Sequence, residues 1–431
     1  MEKRGIYKDN FTEYLLCLAL DVGEGMLKCG AEISRVEDTI ERICKAYGAE
    51  HIEVFSIISF IDAAIRMPDG SYSSQIRRIK STSTNLLLLE RYNELSRKIC
   101  RSKPSLSDID VELREIRHTR IFKAPVICAA SGLAAASFAM FFGGKWNDGL
   151  VAFLIGAIIG IIDLRMPPKV NSMAKTVISS AVATAMAIIF FAIGAASSSH
   201  FVIMGAIMLL VPGVAFGTAM RDLLYGDLLA GTLKTLQAIL TALMIAFGYM
   251  ISVELIEVFG ISLDSSAALS VDFEKFFKPI FFIASIGGCL GSLGFAVIFN
   301  VARRHLFLGA LNGLITYIVY YSIEFVTEGA VFAAAFVSTM VTALLAEIFS
   351  RTKKAPTIIF LLPGVIPTVP GGALYRAMRA LLLFDFAEAL EYLLITLQVG
   401  LGIAGGIMTV SIIFGIIAEK IVKGKAKSDD K

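Results

Sequence analysis

Ionisable side chains stand inside long apolar stretches at two places in this sequence, with the same spacing in both. Residues 212–227 read PGVAFGTAMRDLLYGD and residues 370–385 read PGGALYRAMRALLLFD, with nine of sixteen positions identical. An arginine away from bulk water binds carboxylates well, and an aspartate there can hold an amino group or carry a proton. The candidate groups are Arg221 and Arg379 for binding a carboxylate, and Asp222, Asp227 and Asp385 for proton coupling.

Each copy begins with a Pro-Gly pair, Pro212-Gly213 or Pro370-Gly371. Proline removes a backbone donor and clashes with the preceding turn, at about 3 kcal/mol in a soluble helix, and glycine weakens the helix further. In lipid the freed carbonyl groups need protein, water or ligand partners. Two broken helices would direct backbone groups and helix dipoles at a polar solute. The alternative interpretation is that each Pro-Gly pair is only a packing kink.

Two glutamines extend this candidate binding site. Gln237 and Gln398 lie on the apolar runs that follow the two motifs, so we expect them to support the same bound solute. Arg221 has an alternative role, because an arginine near a helix end often reaches the membrane interface instead.

The elements that carry these groups are expected to span a membrane. Of the 431 residues, 56% are hydrophobic and 18% charged, whereas a soluble chain has about a quarter charged. Apolar runs of about 20 residues can cross a hydrocarbon core of about 30 Å. The sequence therefore predicts a polytopic α-helical membrane protein. Glycine pairs with GxxxG spacing, such as Gly156/Gly160 and Gly402/Gly406, are expected to pack its helices. We predict ten spans, near residues 125–143, 148–164, 175–196, 200–219, 229–252, 279–300, 304–323, 329–349, 356–376 and 389–418.

Charge is concentrated before the first span. Residues 1–123 contain 20 of the 40 Lys/Arg and 19 of the 37 Asp/Glu, which predicts a soluble domain there. Its near-neutral balance gives no reason to expect nucleic-acid binding. The six cysteines lack metal-ligand spacing, so neither a metal nor another cofactor is expected. The predicted domains are residues 1–123, then two five-helix membrane repeats at 124–259 and 278–421.

The soluble domain has the pattern of a small α+β fold. Helices are expected over Phe11–Gly30 and Ser34–Tyr47, the second with a capping box formed by Ser34 and Glu37. Apolar and β-branched runs on either side of Pro68-Asp69-Gly70 predict two or three strands with a hairpin. Since no nucleophile is paired with a base in this domain, we do not expect an enzyme.

The loop charges indicate the orientation. Alternate loops are basic, while the others carry few Lys/Arg, and one is acidic between Glu254 and Glu274. The loop with Arg376 and Arg379 is an exception. This bias puts both termini in the cytosol, in agreement with the short first apolar run, which does not resemble a signal peptide. Because five spans is an odd number, the second repeat would start on the opposite side from the first, which makes an inverted 5+5 repeat.

The chain resembles the threonine/serine exporter family over nearly its whole length. The similar segments are Cys29-Gly30-Ala31-Glu32 through Arg35-Val36-Glu37, LLVPGVAFGTAMRDLLYGDLLAG (209–231) and FLLPGVIPTVPGGALYRAMRALLLFD (360–385). The resemblance implies a bacterial inner-membrane exporter with a cytosolic N-terminal domain, driven by the proton motive force. The second copy departs from the first, with Ala380 in place of Asp222 and Phe384 in place of Gly226.

The sequence supports one main functional hypothesis and leaves alternatives open. The main hypothesis is a secondary exporter of threonine, serine or a similar small carboxylate-bearing solute, coupled to protons. The resemblance also implies an alternative, since some relatives export small dicarboxylates such as succinate. A channel or a sensor with a ligand-binding N-terminal domain is another, and a membrane-embedded enzyme is the least favoured because no HExxH zinc site is present. The sequence also leaves open assembly into a homo-oligomer.

Overall fold

The computed structural model describes residues 10–119, 122–167, 169–224, 226–258 and 279–429. The chain folds into two compact units. The first comprises Met1–Ile121 and the short segment Phe299–Ala302, and the second comprises Phe122–Ile298 and Arg303–Lys431. Most of the acidic loop predicted between residues 254 and 274 lies outside the described residues.

In its described residues, the first unit is a three-stranded antiparallel meander with four helices, which confirms the predicted α+β class. His51 pairs with Arg66 across the first two strands, and Phe60 pairs with Arg78 across the last two. The buried face of the central strand, which includes Ile61 and Ile65, packs against the first helix. The elements are α1 Phe11–Lys28, α2 Ile33–Ala46, β1 His51–Ile57, β2 Phe60–Arg66, β3 Tyr72–Arg78, α3 Leu86–Ser102 and α4 Leu106–His118.

The capping box predicted for α2 is wrong. The helix begins at Ile33, after Glu32, and has no side-chain cap. The Glu37 carboxylate instead accepts hydrogen bonds from the backbone N–H of Ser56 (2.7 Å) and from its hydroxyl (3.0 Å). Glu37 therefore links α2 to β1, a long-range partner that a local sequence signature cannot reveal.

A network of charges links α1 to β3 and α4. Asp21, only 5% exposed, lies 3.3 Å from Nη2 of Arg117 and 3.8 Å from Nε of Arg77. Arg77 also lies 3.9 Å from Glu24. A buried carboxylate requires such partners, because one left alone would strongly destabilise the fold. The network therefore has a structural role in this unit.

The second unit is entirely helical in its described residues. Among the residues that the structure describes, seven helices are long and apolar enough to cross a membrane. The number is eight if the bent pair Ile358–Thr368 and Gly371–Leu381 counts as one span. This confirms a multi-pass helical membrane protein, while the number ten stays a prediction. The helices are α5 Ala124–Phe141, α6 Trp146–Arg165, α7 Ser172–Ala192, α8 Ser199–Ile207, α9 Gly213–Leu224, α10 Leu228–Glu257, α11 Pro279–Ile298, α12 Leu306–Val326, α13 Val331–Lys353, α14 Ile358–Val365, α15 Gly371–Leu382 and α16 Phe386–Asp429.

Helices α5–α10 and α11–α16 make matching contacts. In the first series, α5 packs on α6, α7 on α10 and α6 on α8. The corresponding contacts of the second series are α11 on α12, α13 on α16 and α12 on α14. α9 contacts α10 and α16, and α15 contacts α16 and α10, while α5 and α11 pack on each other. The predicted packing role of the GxxxG glycines is confirmed: a methyl group on Gly156 would lie 2.6 Å from the carbonyl oxygen of Ser131, and one on Gly406 2.5 Å from that of Phe336.

Candidate functional site

The chain breaks between α8 and α9 at the first Pro-Gly pair. Helix α8 ends at Ile207, whose carbonyl accepts the N–H groups of Leu210 (2.7 Å) and Val211 (3.1 Å). Pro212 has no N–H to continue the helix, and Gly213 donates to the Val211 carbonyl at 2.9 Å. The new helix α9 then begins at Gly213.

The second Pro-Gly pair makes the same break. Helix α14 is followed by a 3-10 turn at Ile366–Thr368, and α15 begins at Gly371. The N–H of Gly371 donates to the Val369 carbonyl at 2.7 Å, as Gly213 does to Val211 in the first copy. The bend across this break is 48°. Both predicted helix interruptions are therefore present, and the fourth predicted span of each half is a pair of short helices.

The two breaks lie against each other. A methyl group on Gly213 would overlap Cγ1 of Val369 and lie 2.9 Å from its Cβ. A methyl group on Gly371 would overlap the sulfur of Met208 and lie 3.7 Å from Cγ1 of Val211. Val211 precedes the first break as Val369 precedes the second, so the contacts are reciprocal. Each break therefore lies against the residue that precedes the other break.

Arg379 lies beside a buried aromatic group that sequence reasoning missed. Tyr375, one turn earlier on α15, is 1% exposed and hydrogen-bonds Tyr249 of α10, whose ring centroid is 5.9 Å away. The Tyr375 hydroxyl also lies 3.3 Å from Nδ1 of His200 at the start of α8. Arg379 interacts electrostatically with both tyrosines. The side chain of Arg221, its counterpart, lies outside the described part of the chain.

A second arginine of α15 is also partly buried. The guanidinium of Arg376 stands over the ring of Tyr392, 5.4 Å from its centroid, with Nη1 3.5 Å from the hydroxyl. Among the described residues, no group bonds its buried Nε. The first copy has Thr218 at the position of Arg376 and Gly217 at that of Tyr375, so this chemistry belongs to the second copy alone.

The three candidate aspartates have different surroundings. Asp222 pairs with Lys234 of α10 at 2.5 Å, and both side chains are less than a fifth exposed. Asp227 caps α10 by accepting the N–H of Ala230 at 3.3 Å, and Asp385 caps α16 by accepting that of Glu388 at 3.0 Å. The duplicated aspartates therefore have a structural role as helix caps.

The two predicted glutamines, Gln237 on α10 and Gln398 on α16, are exposed, and their role in binding stays a prediction. No group of three or more His, Cys, Asp or Glu side chains that could hold a metal occurs among the residues that the structure describes. The site is therefore made of two helix breaks, an arginine–tyrosine–histidine group on one side and an Asp–Lys pair on α9 and α10.

Comparison with known proteins gives a consistent result over both units. Residues 17–256 match the family model described as "Putative threonine/serine exporter", and residues 284–413 match that described as "Threonine/Serine exporter, ThrE". No solved structure matches the chain.

Curated proteins of similar sequence carry related names. A "Probable threonine/serine exporter" of Mycobacterium tuberculosis is 23% identical over 92% of this chain and 77% of its own length. A "Threonine/serine exporter" of Corynebacterium glutamicum is 22% identical over 91% of this chain and 80% of its own. A "Pheromone-regulated membrane protein 10" of Debaryomyces hansenii is 23% identical over 73% of this chain but only 31% of its own length.

Proposed function

We propose that this chain, which belongs to the threonine/serine exporter family, exports threonine, serine or a similar small carboxylate-bearing solute at the place where its two broken helices meet. The observation that carries this proposal is the reciprocal contact of the two Pro-Gly breaks. Broken helices in a membrane are tolerated where they are buried in protein or line a polar path. Two of them in contact bring freed backbone groups and helix ends to one place.

In this proposal Arg379 binds the carboxylate of the solute, with Arg221 as its counterpart in the first copy. The guanidinium offers a fork of N–H donors that matches a carboxylate. Tyr375 and Tyr249 interact electrostatically with Arg379, so in this proposal they help to position it. The exposed positions of Gln237 and Gln398 favour a role outside this contact.

We further propose an inverted 5+5 repeat. What supports it is that α5–α10 and α11–α16 make matching contacts, with each broken span in the same place. Ten crossings would bring both termini to one side, and the basic loops favour the cytosol for that side of the inner membrane. Each crossing of the second half would then run in the opposite direction to its counterpart in the first half.

Coupling to protons would use Asp222 in this scheme. The Asp222 carboxylate pairs with the Lys234 ammonium group. Protonation of Asp222, or arrival of the substrate, would break this pair. Asp227 and Asp385 are weaker candidates, because protonation would also remove a helix cap.

A dicarboxylate such as succinate is the second candidate substrate. Arg376 lies one turn from Arg379, and among the described residues no group bonds its Nε, so two guanidiniums are available on one helix. That observation is what supports a solute with two carboxylates as the second candidate.

Counterflow in proteoliposomes would test these proposals, with labelled threonine, serine and succinate as substrates. We expect Arg379→Ala to abolish export and Arg379→Lys to restore only part of it, because lysine keeps the charge but not the fork. Arg351→Ala is a matched control, since Arg351 pairs with Glu347 on α13 at 3.7 Å. Unchanged export by both Arg221→Ala and Arg379→Ala would refute the assigned roles.

A further inference from the structure

A cluster of neutral polar side chains lies in the second series of helices, away from the groups discussed above. Ser292 of α11, Asn312 and Thr316 of α12, and Thr342 of α13 are all 0% exposed. Asn312 and Thr342 lie against Gly364, which with Pro363 forms a further Pro-Gly pair inside α14. A methyl group on Gly364 would lie 2.6 Å from Nδ2 of Asn312, and one on Gly313 would overlap Oγ of Ser292 and lie 3.5 Å from the Pro363 carbonyl.

The cluster has more hydrogen-bond acceptors than donors. Asn312 uses its amide hydrogens on the carbonyls of Thr342 and Phe360, each at 3.2 Å. Its Oδ1 is left with no partner among the described residues, and so is Oγ of Ser292. The carbonyl of Pro363 faces Pro367 four residues later, which has no N–H to donate.

The two threonines add to this surplus of acceptors. Their hydroxyl oxygens lie 2.5 Å apart. Thr316 also bonds the Asn312 carbonyl and Thr342 the Ser338 carbonyl, each at 2.7 Å. Two hydrogens thus serve three contacts, because each hydroxyl has only one. Buried oxygen atoms without donors are costly unless something positive binds them.

The fold itself does not require polar groups here. Gly156 packs on Ala135 in the first series as Gly313 packs on Ser292 in the second, which makes these pairs equivalent. By the same register, Ile155 and Ile159 take the places of Asn312 and Thr316.

Gly248 contacts Ser180 in the first series as Gly406 contacts Thr339 in the second, so Ser180 and Thr339 are equivalent. Three residues later on the same helices, Ala183 takes the place of Thr342. Ala135, Ile155, Ile159 and Ala183 are at most 4% exposed. The first series therefore fills the same buried places with apolar side chains.

We propose that Ser292, Asn312, Thr316, Thr342 and the Pro363 carbonyl bind a small monovalent metal cation, of which sodium is the natural candidate. Oxygen ligands can replace the hydration shell of such an ion, and carbonyls of interrupted membrane helices are suited to this. None of the side chains is charged, so a divalent ion, which favours carboxylates, would be poorly neutralised. The tight packing around Gly313 and Gly364 leaves no room for an added methyl group, which argues against a ligand as large as an amino acid.

Thermal unfolding of the purified full chain in detergent would test this, without any transported solute. At constant ionic strength, replacing choline chloride by sodium chloride should raise the unfolding midpoint in a saturable way. At a sodium concentration 100 times the Kd, the unfolded fraction should fall about 100-fold. Because no transport is measured, the outcome is independent of the proposed substrate.

Two substitutions should weaken the response. Ser292→Ala and Thr342→Ala copy the residues at the equivalent places of the first series, so both should fold. Loss of one ligand should raise the sodium concentration at half effect by about tenfold or more. Ser131→Ala is the matched control, since its buried hydroxyl bonds only its own helix, at the Ile127 carbonyl (3.0 Å), and it should keep the full response.

Two results would overturn the proposal. One is a midpoint that does not depend on whether sodium or choline is present. The other is an unchanged sodium response in both variants. Equilibrium dialysis with radioactive sodium on the unsubstituted chain gives an answer even if the variants fail to fold: about one bound ion per chain is expected, and no bound ion would refute the site.

Discussion

Substituting Gly213 by alanine tests whether the two helix breaks touch. The added methyl group would overlap Cγ1 of Val369 and lie 2.9 Å from both Cβ and Cγ2. Carbon atoms pack best at about 3.5–4.0 Å, so all three contacts are too close. Rotating the valine does not help, because its Cβ does not move with χ1. The two breaks must therefore separate, and overpacking of this kind costs about 1–3 kcal/mol.

Gly217→Ala is the matched control on the same helix. Its methyl group would meet Cγ2 of Ile403 at 3.4 Å, which is ordinary contact. Alanine is favoured over glycine inside a helix by about 0.5–1 kcal/mol, so this variant should be as stable as the unsubstituted protein or more so. The two substitutions have the same chemistry but effects of opposite sign.

A compensating change at Val369 sharpens the test. Val369→Gly removes the three atoms that would lie nearest to the new methyl group. The double variant Gly213→Ala/Val369→Gly should therefore be more stable than the sum of the single changes predicts, by about 1–2 kcal/mol. Thermal unfolding and counterflow would be measured on all variants. If Gly213→Ala is as stable and as active as Gly217→Ala, the reciprocal contact of the breaks is wrong.

Three further predictions follow from other contacts. Asp222→Asn should destabilise the second unit by about 1–3 kcal/mol, because Lys234 loses its partner in a partly buried place. The double variant Asp222→Asn/Lys234→Met should recover most of that stability, and an equal loss in the single and double variants would contradict the pairing. Phe384→Gly should raise the unfolding midpoint, because Phe384 has a φ of 58° that glycine adopts freely, as Gly226 does in the first copy; a lowered midpoint would contradict this. Burial raises the pKa of the Cys29 and Cys44 thiols to about 12, so both should stay protonated and resist maleimide at pH 8 until the chain is unfolded in detergent. Peptide mapping separates them from the partly buried Cys100, Cys128 and Cys289, and rapid labelling of Cys29 or Cys44 in the folded chain would contradict their burial.

The helix breaks were predictable because their cause is local. A proline has no N–H whatever surrounds it, so Pro212 and Pro370 interrupt their helices for a reason written in the sequence itself. The roles of Asp227 and Asp385 as caps could also have been predicted. An aspartate directly before a long apolar run is an ordinary start signal for a helix, and the proton-coupling hypothesis passed over it.

The surroundings of Arg379 could not be predicted in the same way. His200, Tyr249 and Tyr375 lie on three helices that are distant in sequence, and a single sequence does not specify which helix faces pack together. The place of Gln237 and Gln398 in the site stays a prediction, since polarity alone does not fix the direction of a side chain on a helix. Both are exposed.

The two series of helices share a frame but not a chemistry, and this difference constrains any mechanism. Where the first copy has Asp222, the second has Ala380; where the second has Tyr375, the first has Gly217. A solute held between the breaks would therefore meet guanidinium and phenol groups on one side and an acid–base pair on the other. If the two copies exchanged roles during transport, a solute would find the same groups from either direction. Because Asp222 has no acidic counterpart in the second copy, the proposed proton step would belong to the first copy, and Asp222→Asn should affect coupling without removing the arginine of either copy.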